Sequence, residues 1–407
     1  GQVDFVFSGA RMNEPEPPGR RSRSWVNVVV QAAAALAVVV GVVLIGSALF
    51  GRSIDDQAAD VGDARASLNI SCFVYRDVNW SGTYDLGDRP YAALRVDGIG
   101  SGSAMSATSN TAGFANFEML LGGDGVLVAQ PGSYRFEAFP AAGWELNSGD
   151  ATRTIEFVEL DQSPAGIVAT EQCEPFGLVP SLTIRGPVTE GADVEIESDA
   201  GPVDVEIIDG VEFLARVSPG AWTVNVTEDG ATQTRRVNVA EASVVLSALA
   251  EDPETIAPRV DAVIVNFDDF TTANTITEIP NGYGGVNWAN WVATHRILYG
   301  GPGYVNVGTS GEFVAYNSSG HPAKISSDKP FDLVGGYFGV AWPEAEPHDI
   351  VVQAWRGETL LATDSFRGAT SGPLYFAADY RSVTRVEISS TASWQFVVDD
   401  LELRTGD

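Results

Sequence analysis

The sequence predicts an all-β chain of tandem β-sandwiches behind one N-terminal transmembrane helix. Short runs rich in aromatic and β-branched residues recur along most of the chain, and Gly, Pro, Asn or Asp closes each, as expected of strands and turns. The 407 residues include 43 Gly and 21 Pro, which suits many turns, and their 44% hydrophobic content fills two to four domains. One long apolar run, at residues 25–50, stands apart from this pattern.

In that run only Asn27, Gln31 and Ser47 are polar. Residues 25–45, as a helix, span about 30 Å, the thickness of a bilayer's hydrocarbon. Arg11, Arg20, Arg21 and Arg23 precede the run, whereas Asp55, Asp56, Asp60 and Asp63 follow it beside Arg52. The basic side stays in the cytoplasm. Residues 1–24 therefore read as a cytoplasmic tail and 25–50 as an uncleaved anchor, with the rest outside the cytoplasm. The alternative is a signal peptide cut near Gly46, Ser47 and Ala48 and a secreted product, although such apolar regions are usually shorter. Residues 51–67 are charged and Ala-rich, as in a short stalk.

The net charge is −30. It opposes nucleic acid and anionic lipid and suits a soluble surface that meets divalent cations. The acidic residues are dispersed, so they speak of solubility and partners rather than disorder.

The next element is the loop DVNWSGTYDLGD at 77–88. Oxygen-bearing side chains fall at its positions 1, 3, 5, 7, 9 and 12: Asp77, Asn79, Ser81, Thr83, Asp85 and Asp88. A calcium ion takes about six to eight oxygens, and Gly82 at the sixth position permits the sharp turn. The flanks SCFVY at 71–75 and YAALRV at 91–96 read as strands, so the loop implies a structural ion rather than a helical sensor. The competing reading is an ordinary Asp/Asn turn. Two cysteines, Cys72 and Cys173, lie before the loop and near the end of the same module, and in an exported chain they pair as a disulfide or remain as two buried thiols.

The module at 68–176 resembles the B-type, immunoglobulin-like or prealbumin-like repeats of bacterial surface adhesins of the serine-aspartate repeat and collagen-adhesin families. The likeness rests on the 77–88 loop, on TAGFANF at 111–117 and on PGSYRF at 131–136. It implies a sandwich whose acidic loop holds calcium. Asp88 stands where those repeats usually have Glu, which shortens the arm meant to give both oxygens. A second module, 177–250, repeats the turn and strand as PGAWTVNV at 219–226 but has no calcium loop, and reads as a spacer.

Residues 251–259, EDPETIAPR, form a charged, proline-punctuated linker. From 260 to 405, runs such as YFGVAW at 337–342 and IVVQAW at 350–355 alternate with Gly-rich turns, as in a jelly-roll sandwich. This domain resembles the carbohydrate-binding-like, galactose-binding-fold sandwiches of exported bacterial proteins, through NFDDF at 266–270, PNGYGGVNW at 280–288 and FVVDDL at 396–401. The resemblance implies first and last strands lying together, with Asp268 and Asp399 holding a structural calcium and Asp269 and Asp400 next to them. The other reading makes these residues strand-end caps.

Tyr283, Trp288, Trp291, Tyr299, Tyr304 and Tyr316 crowd one Gly/Asn-rich segment. Sugars stack their CH faces on such rings and meet amides with their hydroxyls, so Tyr283, Trp288, Trp291, Tyr304 and Asn306 are the candidate ligand contacts. Core filling is the competing account of each ring. No phosphate loop, nucleophile elbow or HExxH helix occurs, and small sandwiches strung along a chain offer no obvious cleft for a hydrolase's carboxylate pair. The sequence therefore points away from an enzyme. It points to a membrane-anchored adhesin or lectin whose calcium-stiffened modules present a carbohydrate-binding tip to a glycan, cell-surface or matrix ligand. The alternative is a non-binding structural envelope or surface-layer protein.

Overall fold

The computed structural model describes residues 67–100, 103–120, 130–162, 167–248, 262–269 and 276–405. The expected tail, anchor and linker at 251–259, and all but the last residue of the expected stalk, lie outside these residues. Among the described residues no helix is long and apolar enough to cross a membrane. The regular elements are almost all strands, and Arg65–Asp407 forms one compact unit.

The first sandwich packs two sheets face to face. One holds Arg89–Pro90, Ser67–Arg76, Phe176–Pro180 and Trp144–Leu146, with Phe114–Leu120 paired to Ser67–Arg76. The other runs Ser103–Thr108, Arg95–Gly100, Gly132–Phe139, Thr152–Glu159 and Ile167–Ala169. Period-two alternation builds the core: in Gly132–Phe139, Tyr134, Phe136 and Ala138 point inward while their neighbours face out. Cys72 and Cys173 are bonded within this core, with their Cα atoms 5.0 Å apart. Phe176–Pro180 pairs with both Ser67–Arg76 and Trp144–Leu146 and so joins the first sandwich.

The second module repeats the design in fewer strands. A four-stranded sheet, Gly201–Val203, Asp193–Ser198, Gly220–Glu228 and Ala231–Val239, covers a layer made of Val205–Ile208, Glu212–Arg216, Thr183–Pro187 and Ser243–Leu246. Trp222 and Tyr134 hold matching places two residues after a Pro-Gly turn, and both are buried.

The third domain does not hang from this module as a separate bead. Ser243–Leu246 pairs in parallel with Leu374–Ala377, so the lower layer continues through Ala323–Val340 and Phe396–Thr405 as one 15-stranded sheet. Val263–Val265 pairs with the last strand, Phe396–Thr405. The sandwich core gathers Phe267, Trp288, Trp291, Phe338, Phe376 and Leu401.

Side chains tie the modules further. The buried guanidinium of Arg76 meets Glu241 at 2.6 Å, joining the first module to the second. The Asn306 amide bridges the first module and the third: its oxygen accepts from Ala92 N at 2.8 Å, and its nitrogen donates to Ala92 O at 2.9 Å and Thr370 O at 3.0 Å. Gly372 lies so close to Trp144 that a Cβ there would stand 2.2 Å from the indole. The tandem sandwiches are thus fused by a shared strand and buried polar latches.

Candidate functional site

The 77–88 loop is braced by its own carboxylates. Asp77 is buried and accepts from Ser81 N at 3.0 Å, Gly82 N at 2.6 Å and Asn147 Nδ2 at 2.7 Å. Asp85 accepts from Asn79 Nδ2 at 2.9 and 3.0 Å and from Ser81 Oγ at 2.9 Å. Asp88 takes Val78 N at 3.0 Å and Asp85 N at 2.9 Å, while Thr83 offers its hydroxyl 3.4 Å from Ser81 Oγ. Burial, with the charges of Asp77 and Asp85 adding, pushes the Asp88 carboxyl above the usual range. Burial and the same three carboxylates push the Tyr75 phenol up to about 12. This chemistry of crowded hard oxygens fits calcium. The placement, however, is that of a hydrogen-bonded turn, and among the described residues no three acidic, His or Cys groups converge as a metal cage. To close on an ion, Asp85 would have to release the Asn79 amide.

Asp268 and Asp399 come to the same turn from opposite ends of the third domain. Asp268 Oδ1 accepts from Glu312 N and Phe313 N, both at 3.0 Å. Asp399 Oδ2 accepts from Thr309 N at 2.7 Å and Ser310 N at 3.0 Å, and Asp400 takes the hydroxyls of Thr309 and Ser310. Gly311, at φ +44°, permits the approach, since a Cβ would overlap the Asp268 carboxylate. These residues serve as turn braces, and the turn in turn receives Arg89 of the first module on Thr309 O. With no exposure and Asp400 beside it, the Asp399 carboxyl is pushed up to about 8, by burial first and by Asp400 second.

Most of the ligand candidates are buried. Trp288 and Trp291 are 6% and 2% exposed, pack edge to face at 5.5 Å, and spend their indole N–H groups on Tyr283 O and Lys324 O. Tyr304 is 1% exposed, and Asn306 is consumed in the module latch. Tyr283 is half-buried, with its hydroxyl on Asp269. The rings of Trp288, Trp291 and Tyr304 fill the sandwich, whereas Tyr283 keeps part of its surface exposed.

A cleft of about 520 Å³ lies elsewhere, at a place that no motif marked. Its origin is topological. The four-stranded sheet of the second module ends at Ala231–Val239, whereas the 15-stranded layer beneath continues into the third domain. The floor therefore outruns its cover. Arg235, Arg236 and Asn238 stand along the terminal strand as one wall, and Tyr337, Tyr375 and Glu402 lie across the floor. Tyr375 donates to Glu402 Oε1 at 3.1 Å, its phenol kept well above the ordinary range by burial and then by the Glu402 charge. Arg235 donates to Ser247 O and Ala377 O, holding the rim. Sequence reasoning missed this surface because its residues come from 234–246, 334–337, 375–381 and 402–404, and only the tertiary fold collects them.

No family model matches the sequence, and no curated protein matches it. Among solved structures, the Bacillus anthracis TIE protein is similar at 11% identity and a TM-score of 0.21, over 50% of this chain and 40% of its own. A shaft pilin SpaA from Lactobacillus rhamnosus GG matches 44% of this chain over 97% of its length, at 11% identity and TM-score 0.20. The CBM22-1 xylan-binding domain of Paenibacillus barcinonensis Xyn10C matches 37% over 97% of its length, at 12% identity and TM-score 0.20. Likenesses at this level carry no argument about what the chain does.

Proposed function

We propose that the chain is an exported, adhesin-like cell-surface protein, held in the membrane by residues 25–50, that binds an external ligand and catalyses nothing. The observation that carries this reading is the cleft: a concave, charged and tyrosine-bearing surface framed by two fused modules rather than by mobile loops. The latches at Asn306 and Arg76 support a body that keeps its shape when pulled between an anchor and a ligand. The disulfide suits a compartment outside the cytoplasm. Calcium in the 77–88 loop would be held by Asp77, Asn79, Ser81, Asp85 and Asp88, stiffening the first module.

The test is adhesion of cells displaying the full chain to surfaces bearing glycans or matrix proteins. Retention above that of cells lacking the chain is expected, and equal retention on every surface would remove the binding function. The burial of Trp288 and Trp291 favours a second reading, a structural surface component. Concentration-dependent self-association in sedimentation, without adhesion, would select it.

A further inference from the structure

We propose that the cleft between the second and third modules takes an acidic saccharide, its carboxylate clasped by Arg404 and Arg236 and its ring laid against Tyr337 and Tyr375. The inference deepens the reading of the chain as a surface binding protein and rests on it. It begins with charge. The chain is strongly acidic, at −30, yet four arginines, Arg235, Arg236, Arg381 and Arg404, line this one cleft against two acids, Asp379 and Glu402. A local positive balance inside a negative molecule draws an anion to that place.

The hydrogen bonds then show which arginines remain for a ligand. Arg235 is engaged by Ser247 O at 3.0 Å and Ala377 O at 3.2 Å, and Arg381 by Asp379 at 3.3 Å. Among the described residues, Arg236 and Arg404 form no ion pair. A carboxylate is the group whose geometry a guanidinium fork fits.

The rest of the lining selects a sugar over a peptide. Of the cleft's apolar residues, Val237, Ala242, Val244 and Leu246 are buried, and those that keep some exposure, Ala240, Val334 and Ala377, are small, so no deep apolar pocket awaits alternate side chains of an extended peptide. The rest of the lining is polar and aromatic. Tyr337 and Tyr375 meet edge to face at 5.1 Å, and Glu402, oriented by the Tyr375 hydroxyl, is an acceptor for sugar hydroxyls. A volume of about 520 Å³ has room for a short saccharide.

The experiment is calorimetric titration of the full chain in detergent with oligogalacturonate, hyaluronan fragments and sialyllactose, each beside its methyl ester or neutral counterpart. At least one acid should bind, and its neutralised form should bind about tenfold more weakly or worse, the worth of a charge-assisted hydrogen bond. Arg404→Gln and Arg236→Gln should each weaken the acid by about tenfold while leaving the neutral form unchanged, and Arg404→Lys should recover only part. Equal binding of acid and ester overturns the proposal, as does failure of every acid with folded protein, or capture of peptides in their place. The ester comparison needs no variant, so a misfolded mutant cannot hide the answer. If displaying cells adhere and Arg404→Gln leaves adhesion unchanged, the cleft assignment falls while the surface-binding reading stands.

Discussion

Replacing Asn306 with Ala should loosen the junction between the first and third modules. The side chain is 4% exposed and makes three hydrogen bonds, one from Ala92 N and two to the carbonyls of Ala92 and Thr370. A hydrogen bond contributes about 1 kcal/mol net, and a buried group left without a partner costs about 1–3 kcal/mol. Ala92 N–H loses its acceptor outright, whereas each carbonyl keeps a second lone pair. The sum is a loss of about 3–5 kcal/mol. Denaturant unfolding of the full chain, followed by tryptophan fluorescence, should show a lower midpoint, with the first module separating as its own transition. Asn306→Asp is the companion variant: it preserves shape and the acceptor for Ala92 N, but sets a carboxylate against two carbonyls, so it should not rescue. A loss below about 1 kcal/mol for Asn306→Ala, or wild-type stability for Asn306→Asp, would refute the latch.

Reducing the Cys72–Cys173 bond, which closes a sequence separation of 101, should cost the first module about 4–5 kcal/mol by loop-closure entropy, read as a lower midpoint in reductant. Asp399 predicts a pH slope. Burial, and then the Asp400 charge, pushes its folded carboxyl up to about 8, against about 3.9 in the unfolded chain, so the folded state holds the extra proton between these values. That contribution is greatest at low pH and is lost as pH rises from about 4 to 8, and Asp399→Asn should flatten the slope in melting curves taken across this range. If the 77–88 loop binds calcium only when folded, chelator should lower the melting temperature of the wild type and leave Asp77→Ala unmoved. A wild-type curve indifferent to chelator would take calcium out of the picture.

Local rules made much of the fold legible. The two Pro-Gly turns before an aromatic and an alternating run became strands, with Gly132 and Gly220 at φ of 136° and 143° and with Tyr134 and Trp222 facing inward. Alternation fixes which face a residue takes, but not how far away its cover lies. Trp288 and Trp291 read equally well as stacking platforms or core, and only the sheet packed over them decides. Asp268 and Asp399 lie far apart in sequence yet brace one turn, which no spacing rule relates. The pairing of Ser243–Leu246 with Leu374–Ala377 carried no motif, since a buried parallel strand is simply apolar and its partner is set by topology. The cleft follows from that pairing, and so it was invisible for the same reason.

The shared strand also sets a schedule. Ser247 and Ala378, which hydrogen-bond where the two modules meet, are 131 residues apart in the chain. A polypeptide threaded across a membrane from its N-terminal end would deliver the second module long before the strand that completes its sheet. During that interval Ser243–Leu246 presents an unpaired, apolar edge, a template for a wrong partner or for another copy of the chain. Non-local parallel pairing forms slowly, so the second module's sheet stays incomplete until the third domain supplies its strand. A chaperone waiting on the far side of the membrane would find its substrate there, and a truncation before residue 374 would leave that edge exposed for good.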